Sequence, residues 1–414
     1  MREDWIECTF DDILEIKNGK NQKHVENSNG SYPIYGSSGI IGKASEFLCP
    51  ENTIIIGRKG TINSPIYVTT KFWNVDTAFG LIPFDNLNPK LLYYFCQFFN
   101  FHSLDKSTTI PSLAKGDLLK IIFPLPPIPE QRAIVKKIET LFSSLDASIA
   151  DLKNSQKQLK IYRQAVLKKA FEGKYKVIKV GDFFNFLGGG TPSKKEKSFW
   201  NGNLNWASIK DIKGDFLNST QDFITEKGLE NSSSNIANKG EVILATRINP
   251  GRSIISNIKT AINQDLKVIK PKNNCDNHFI HYLFKSIEDK CLKASSGTTV
   301  LGISLPNLKD IQIPEILDLK QQQQIVKEIE SRLSVCDAVE KQIKNSLDQA
   351  EALRQSILKK TFEGSLLTKE ELKACKSEPN YEPASVLLER IKVEKEAHKS
   401  VKKISKNKVS LIRD

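Results

Sequence analysis

A chain of 414 residues has room for two domains, and with 39% hydrophobic and 26% charged residues it is composed like a soluble globular protein, not a disordered one. The formal net charge of +13 favours an anionic partner, a nucleic acid or a membrane surface. No apolar run approaches the roughly 20 residues of a membrane helix. Arg2, Glu3 and Asp4 precede any apolar stretch, so no signal peptide is read. The seven cysteines are scattered without CxxC spacing, the pattern of reduced thiols in a cytoplasmic protein.

Residues 1–128 read as a mixed α/β globular domain. A β-rich run spans Asn52 to Gly57 (NTIIIG), and a helix is predicted over Pro89 to Phe99 (PKLLYYFCQFF). GSSGIIGK, Gly36 to Lys43, has the look of a phosphate loop. However, Ser37 stands where that pattern needs glycine, and Ala44 where it needs Ser or Thr for a metal, which argues against nucleotide binding. Asp11, Glu15 and Lys17 loosely mimic a nuclease Asp…Glu-x-Lys, but Asp11 and Glu15 are expected on a solvated helix start. The loop side chains suited to DNA are Ser37, Ser38, Lys43, Arg58, Lys59, Lys106 and Thr108.

Residues 129–173 form a predicted long helix. Ile138, Phe142, Leu145, Leu152 and Leu159 recur mostly in helical steps, Tyr162 and Val166 continue the stripe, and no Pro or Gly interrupts it after the PLPPIPE entry. About 40 residues at 1.5 Å each span roughly 60 Å.

A second globular domain occupies residues 174–318, with a strand in EVILAT (Glu241 to Thr246) and a helix in NHFIHYLFKSI (Asn277 to Ile287). The loop GGGTPSKK (Gly188 to Lys195) lacks GxGxxG spacing, so a dinucleotide site is not supported, but its small donors and two lysines suit phosphate contact. Cys275, His278, His281 and Cys291 suggest a metal site, against the simpler reading of an amphipathic helix packing Phe279, Leu283 and Ile287; no metal is expected. The loop residues suited to DNA here are Ser193, Lys194, Lys195, Lys210, Arg247, Asn249, Arg252 and Thr298. Lys and Arg neutralise phosphates, whereas Arg and Asn also reach base edges. Residues 319–366 repeat the long helix, with Ile329, Leu333, Ile343, Leu347 and Leu353 on its packing face. Residues 367–414 read as a basic polar tail in which EPASVLLERIKVEKEA (Glu382 to Ala397) is helical and available to dock a partner.

The two long helices are copies. From Ala133 to Gly173, 20 of 41 positions are identical at an offset of 191, including IVKKIE against IVKEIE and LKKAFEG against LKKTFEG. Upstream the likeness is fainter: Arg58 matches Arg247 and Asn74-x-Asp76 matches Asn263-x-Asp265. WIECTFDDILEI beside YKVIKVGDFFNF suggests a shared opening element. Each long apolar stripe needs a partner, and its duplicate is the simplest one. An antiparallel pair would place the globular parts at opposite ends, as a ruler; the alternative is that each helix packs only on its own domain. No amino-methyltransferase Asn/Asp-Pro-Pro-aromatic run, Gly-x-Ser-x-Gly elbow or His-Glu-x-x-His is present.

PLPPIPEQRAIVKKIE with LKKAFEG, their second copy, the EPASVLLERIK tail, GTPS (Gly190 to Ser193) with WNGNLNWASIKDI, and YGSSGIIG with IIIGRKGTI together resemble the specificity subunits of type I restriction–modification systems, over nearly the whole chain. The second copy departs where PPIPEQR becomes LDLKQQQ. The resemblance implies two target recognition domains joined by two antiparallel helices, each domain reading one half of an asymmetric bipartite double-stranded DNA site. It implies that the helices set the spacer and dock two modification subunits, with restriction subunits joining them. S-adenosylmethionine, ATP and magnesium would then belong to partners, leaving this chain non-catalytic and without a cofactor. A lone methyltransferase or nuclease, and a protein-binding rod with no DNA role, are the alternatives.

Overall fold

The computed structural model describes residues 2–297 and 299–410, with side chains to Ala397. Two compact units result: Met1–Asp151 with Ser346–Asp414, and Leu152–Asn345. The long helices, Ile128–Ala170 and Leu319–Phe362, therefore each contribute to both units.

In the first unit a four-stranded sheet runs in the order Leu14–Asn18, Ala78–Pro83, Thr53–Gly57, Ile66–Val68. The strand TIIIG is buried along its whole length, which explains its continuous apolar run. A three-stranded sheet joins Gly39–Ala44, Tyr32–Gly36 and Trp73–Asn74. Strand Ile6–Thr9 pairs antiparallel with Ile122–Leu125, so the domain closes on itself just before the long helix begins. The second unit repeats this plan. Val177–Lys179 pairs with Gln312–Pro314. A five-stranded sheet holds the fully buried VILA strand Val242–Ala245, and a four-stranded sheet is built around Trp200–Ala207. Each opening strand leads into a short turn of helix whose N-cap backbone N–H donates to an aspartate within it, Thr9 to Asp12 and Lys179 to Asp182. The expected solvated helix start reaches only Asp11, because Glu15 lies in strand Leu14–Asn18.

Within each unit the start of one long helix lies beside the end of the other, so the pair runs antiparallel. In the first, Ile134, Ile138 and Phe142 share a core with Ile357, Leu358 and Phe362. In the second, Val166, Leu167 and Phe171 share one with Ile325, Ile329 and Leu333. The repeat also places matched ion pairs across the helices, Arg354 with Asp146 and Arg163 with Asp337, the latter at 2.6 Å. Ile343 is buried, while Leu145, Leu152, Leu159 and Leu347 are half-buried, as expected where only two helices meet. Leu353, expected on the packing face, is 51% exposed. Its neighbour Arg354 takes the inward place, with its guanidinium 4.3 Å from the centre of the Phe142 ring. Tyr162 is likewise exposed.

Two buried glutamines tie the long helices to the domains. The Gln131 carboxamide accepts from Asn88 N at 2.8 Å and donates to Pro126 O at 3.0 Å. Gln322, 191 residues on, accepts from Asp276 N at 2.9 Å and donates to Ile316 O at 2.8 Å. Asn88 and Asp276 are the N-caps of the domain helices Pro89–Phe98 and Asn277–Ser286.

The polar tail is corrected in part. Thr368 caps a helix, Lys369–Lys376, and a further helix, Ala384–Ser410, follows. Leu387, Leu388 and Ile391 are buried in the core of the first unit, so their apolar side chains pack on this chain itself.

Candidate nucleic-acid interface

Loops at the ends of the strands carry most of the predicted residues. In the first unit Ser37 and Ser38 form the tip of the hairpin whose last pair is Gly36 with Gly39, and Ile40 and Ile41 beside them are exposed. The positive φ of Gly39, 134°, and the strand pairing on either side make this segment a β-turn and not a phosphate loop. Arg58 N and Lys59 N both donate to Thr77 O, at 2.7 and 3.2 Å, and Gly60 N donates to Pro111 O at 2.9 Å. Arg58 and Lys59 thus meet the segment that carries the exposed Thr108 and Ile110, and Ser37 lies beside Gly57 and Gly60. Lys43 is exposed but pairs with Pro33, toward the hairpin's base. Lys106 is held by Asp117 at 2.9 Å.

The second unit builds the same frame with different chemistry. Arg247 Nη1 lies 3.4 Å from Asp265 Oδ1, and Arg58 Nη1 lies 3.3 Å from Asp76 O. Both arginines are thus held by the residue 18 positions on, and the asparagine two before that residue is buried in each case (Asn74, Asn263). Fixing an exposed guanidinium at one edge leaves its other N–H groups directed outward. Ile303 N donates to Thr246 O and Ile248 N to Leu301 O, both at 2.8 Å, which pins the Arg247–Asn249 loop to the following segment. Arg252 is half-buried near Glu288, whose carboxyl burial pushes up. Thr298 lies outside the described residues.

A cleft of about 780 Å³ opens beside this frame, lined by Lys194, Lys210, Trp200, Trp206, Gln264 and Asp265 among others. Ser193 and Lys195 are exposed on the loop that enters it. That glycine-rich loop is packed: Gly190 N donates to Ile262 O, and Gly190 O accepts from the Trp206 indole at 3.1 Å. A Cβ on Gly189 would stand 2.1 Å from Asn263 O. The glycines therefore let the loop backbone close onto Ile262–Asn263 and Ser233–Ser234, where Gly190 O receives the Trp206 indole. Trp200, Trp206 and Gln264 were not among the residues predicted from the sequence. WNGNLNW was the available signal, as two aromatics on a polar strand.

Cys275, His278, His281 and Cys291 serve the domain's own packing and polar contacts. His281 is buried with Nδ1 3.0 Å from Ser253 Oγ and Nε2 3.3 Å from Asp215, while His278 faces Glu330. The His281 ring and Lys285 hold the Asp215 carboxyl far below the usual range, and burial lowers His281. Among the described residues, no group of three or more His, Cys, Asp or Glu could hold a metal ion, and no helix is long and apolar enough to cross a membrane.

Two units of one plan, each a sheet domain closed onto a shared antiparallel helix pair, define a duplicated recognition scaffold. The family model for the type I restriction modification DNA specificity domain matches residues 2–158 and again 172–349, and the chain belongs to that family. It is 25% identical to the type I restriction enzyme EcoDI specificity subunit of Escherichia coli, over 95% of this chain and 96% of that one. To the EcoR124I/EcoR124II specificity subunit, also of Escherichia coli, it is 29% identical over 50% of this chain and 54% of the relative. Its fold is similar to a chain solved in a study of complex assembly and conformational transition of the type I R-M system (TM-score 0.72, 17% identity, 88% of this chain and 99% of the other). It is also similar to the HsdS subunit from Thermoanaerobacter tengcongensis (TM-score 0.55, 18% identity, 88% and 98% covered). The chain is accordingly a specificity subunit, the non-catalytic DNA-recognition component of a restriction–modification system.

Proposed function

We propose that each unit reads one part of an asymmetric, bipartite double-stranded DNA sequence, and that the paired long helices set the spacer between the parts. The observation that carries this reading is the repeated frame with unlike contents. Arg58 and Arg247 sit in matching braces, but their neighbours are Lys59-Gly60 in one unit and Ile248-Asn249 in the other. Equal frames with unequal side chains favour two different half-sites. The exposed lysines, Lys43, Lys59, Lys194, Lys195 and Lys210, supply the salt-dependent phosphate contacts.

The helices are proposed to dock two modification subunits, with restriction subunits joining the assembly in the cytoplasm. Methyl transfer from S-adenosylmethionine and ATP- and magnesium-dependent work then belong to those partners. Mapping adenine methylation in a host with and without this gene reveals the split motif. Arg58→Ala and Arg247→Ala should each cut affinity about ten-fold or more and relax discrimination in one half only, in line with the ~1–3 kcal/mol of a base-reading arginine. A palindromic motif, or equal relaxation of both halves by either substitution, would sink the two-reader model. Activity of the purified chain alone with cofactor and magnesium would restore the enzyme alternative.

A further inference from the structure

The loop Arg247–Ile248–Asn249 combines three features that packing does not require. Asn249 N donates to Arg247 O at 2.8 Å across a single residue, and that residue, Ile248, has φ 69°. This is the rare γ-turn with a positive central φ. The other described non-glycine residues at positive φ are asparagines, Asn52 and Asn201, which tolerate it. For a β-branched residue the conformation is strained, and such strain persists where the surroundings over-determine it, typically at functional sites. Here the surroundings do so: Ile248 N is fixed on Leu301 O, and the Arg247 guanidinium on Asp265.

The strain brings the chain no burial. Ile248 is 50% exposed, and Val300 and Leu301 beside it are also exposed. A strained turn that holds an aliphatic side chain out into water between an arginine and an asparagine is not explained by the core of the unit. It is explained by a ligand that is apolar at one point and rich in hydrogen-bonding groups on either side. The major-groove edge of DNA has that character where the thymine 5-methyl group projects among acceptor and donor atoms.

We propose that Ile248 is a specificity-determining residue that packs against the 5-methyl group of one thymine in the half-site read by the second unit, with Arg247 and Asn249 addressing the neighbouring bases. This rests on the DNA-recognition reading above. The matching position in the first unit is Lys59, so the methyl contact is a property of one unit alone.

The test uses the full chain in complex with its modification partner, on duplexes carrying the motif found by methylation mapping. Each thymine is replaced in turn by deoxyuridine, which removes the methyl group and leaves the hydrogen-bonding edge. At one position in the second unit's half-site, replacement should weaken wild-type binding about four-fold, the worth of one buried methyl group. Ile248→Asn, which accepts the positive φ, should bind the thymine and uracil duplexes equally. Ile248→Gly repeats the comparison with no side chain. The assignment is overturned if binding is specific but no thymine in that half-site distinguishes wild type from the two variants. Absence of sequence-specific binding by the wild-type complex overturns the recognition reading and this assignment with it.

Discussion

The groove between the two long helices occurs once in each unit, and the two copies are treated differently. In the second unit it is open, a hollow of about 490 Å³ lined by Tyr162, Val166, Lys169, Ile325, Glu328 and Arg332 among others. In the first unit the matching positions meet the C-terminal helix Lys369–Lys376. Lys137, the counterpart of Glu328, pairs with Glu371 at 2.6 Å, and Arg132 pairs with Glu378. Trp5, which corresponds to Tyr175 on the wall of the open groove, is buried with its indole on Glu130 at 2.8 Å. The duplicated scaffold thus has one groove covered by the C-terminal segment through Lys137 and one left open, in which Glu328 stands at the matching position and pairs with Arg332 at 3.0 Å. The Lys137–Glu371 pair therefore has no like-for-like counterpart at Glu328, whose partner is Arg332.

The largest way to break this contrast is to remove the tail. Deleting residues 367–414 withdraws Leu387, Leu388 and Ile391 from the core of the first unit. At ~2 kcal/mol for each buried aliphatic side chain, the first unit should lose on the order of 6 kcal/mol and its thermal transition should collapse. The second unit's transition should be unmoved. A uniform loss across both transitions would show that the tail supports more than one unit.

A smaller effect tests what the two units share. Gln131→Leu and Gln322→Leu each strand a buried N–H and a buried carbonyl. Each should cost about 2–5 kcal/mol, in its own unit only. Calorimetry on the two variants reads this directly, and a cost near zero in either would show that water replaces the carboxamide.

The mildest prediction separates the units by pH. Burial lowers the pKa of His281, so the unfolded chain binds the proton more readily than the folded one. Stability of the second unit should therefore fall as pH drops below the ordinary histidine value of about 6.5, by at most about 1.4 kcal/mol per pH unit. Asp215 shifts the opposite boundary: its depressed carboxyl keeps its contribution through the mildly acid range and loses it only below the usual aspartate range. Melting curves at pH 7 and 5.5, with His281→Phe as the control, should show the second transition moving in the wild type and standing still in the variant.

Much of this was legible in the chain because repetition marks what packing constrains. The offset of 191 carried Arg163 with Asp337 and Arg354 with Asp146, and Gln131 with Gln322 survived where PPIPEQR became LDLKQQQ. Arg58 with Asp76 and Arg247 with Asp265 were visible as a fainter echo, and the structure places them in matching braces. What was not legible depended on conformation. Nothing in the letters around Ile248 signals a positive φ. Leu353 has the right spacing for the seam, but an arginine stacked on Phe142 takes its place. The tail reads as polar because Leu387, Leu388 and Ile391 are diluted among charges, although their spacing puts all three on one helix face. In GGGTPSKK the glycines suggest a ligand, whereas they let the loop backbone close onto Ile262, Asn263 and Ser233.

The short strand pairs at the base of each domain bear on how such chains change over time. Ile6–Thr9 against Ile122–Leu125, and Val177–Lys179 against Gln312–Pro314, bring the entry and exit of each domain together within four and three paired residues. A recombination event with its two crossovers in these pairs would move a whole domain as a cassette, its sheets and loops intact, onto helices that already carry the matching glutamine. The cost of acquiring a new DNA target would then be confined to re-forming one two-stranded seam and one hydrogen-bonded cap.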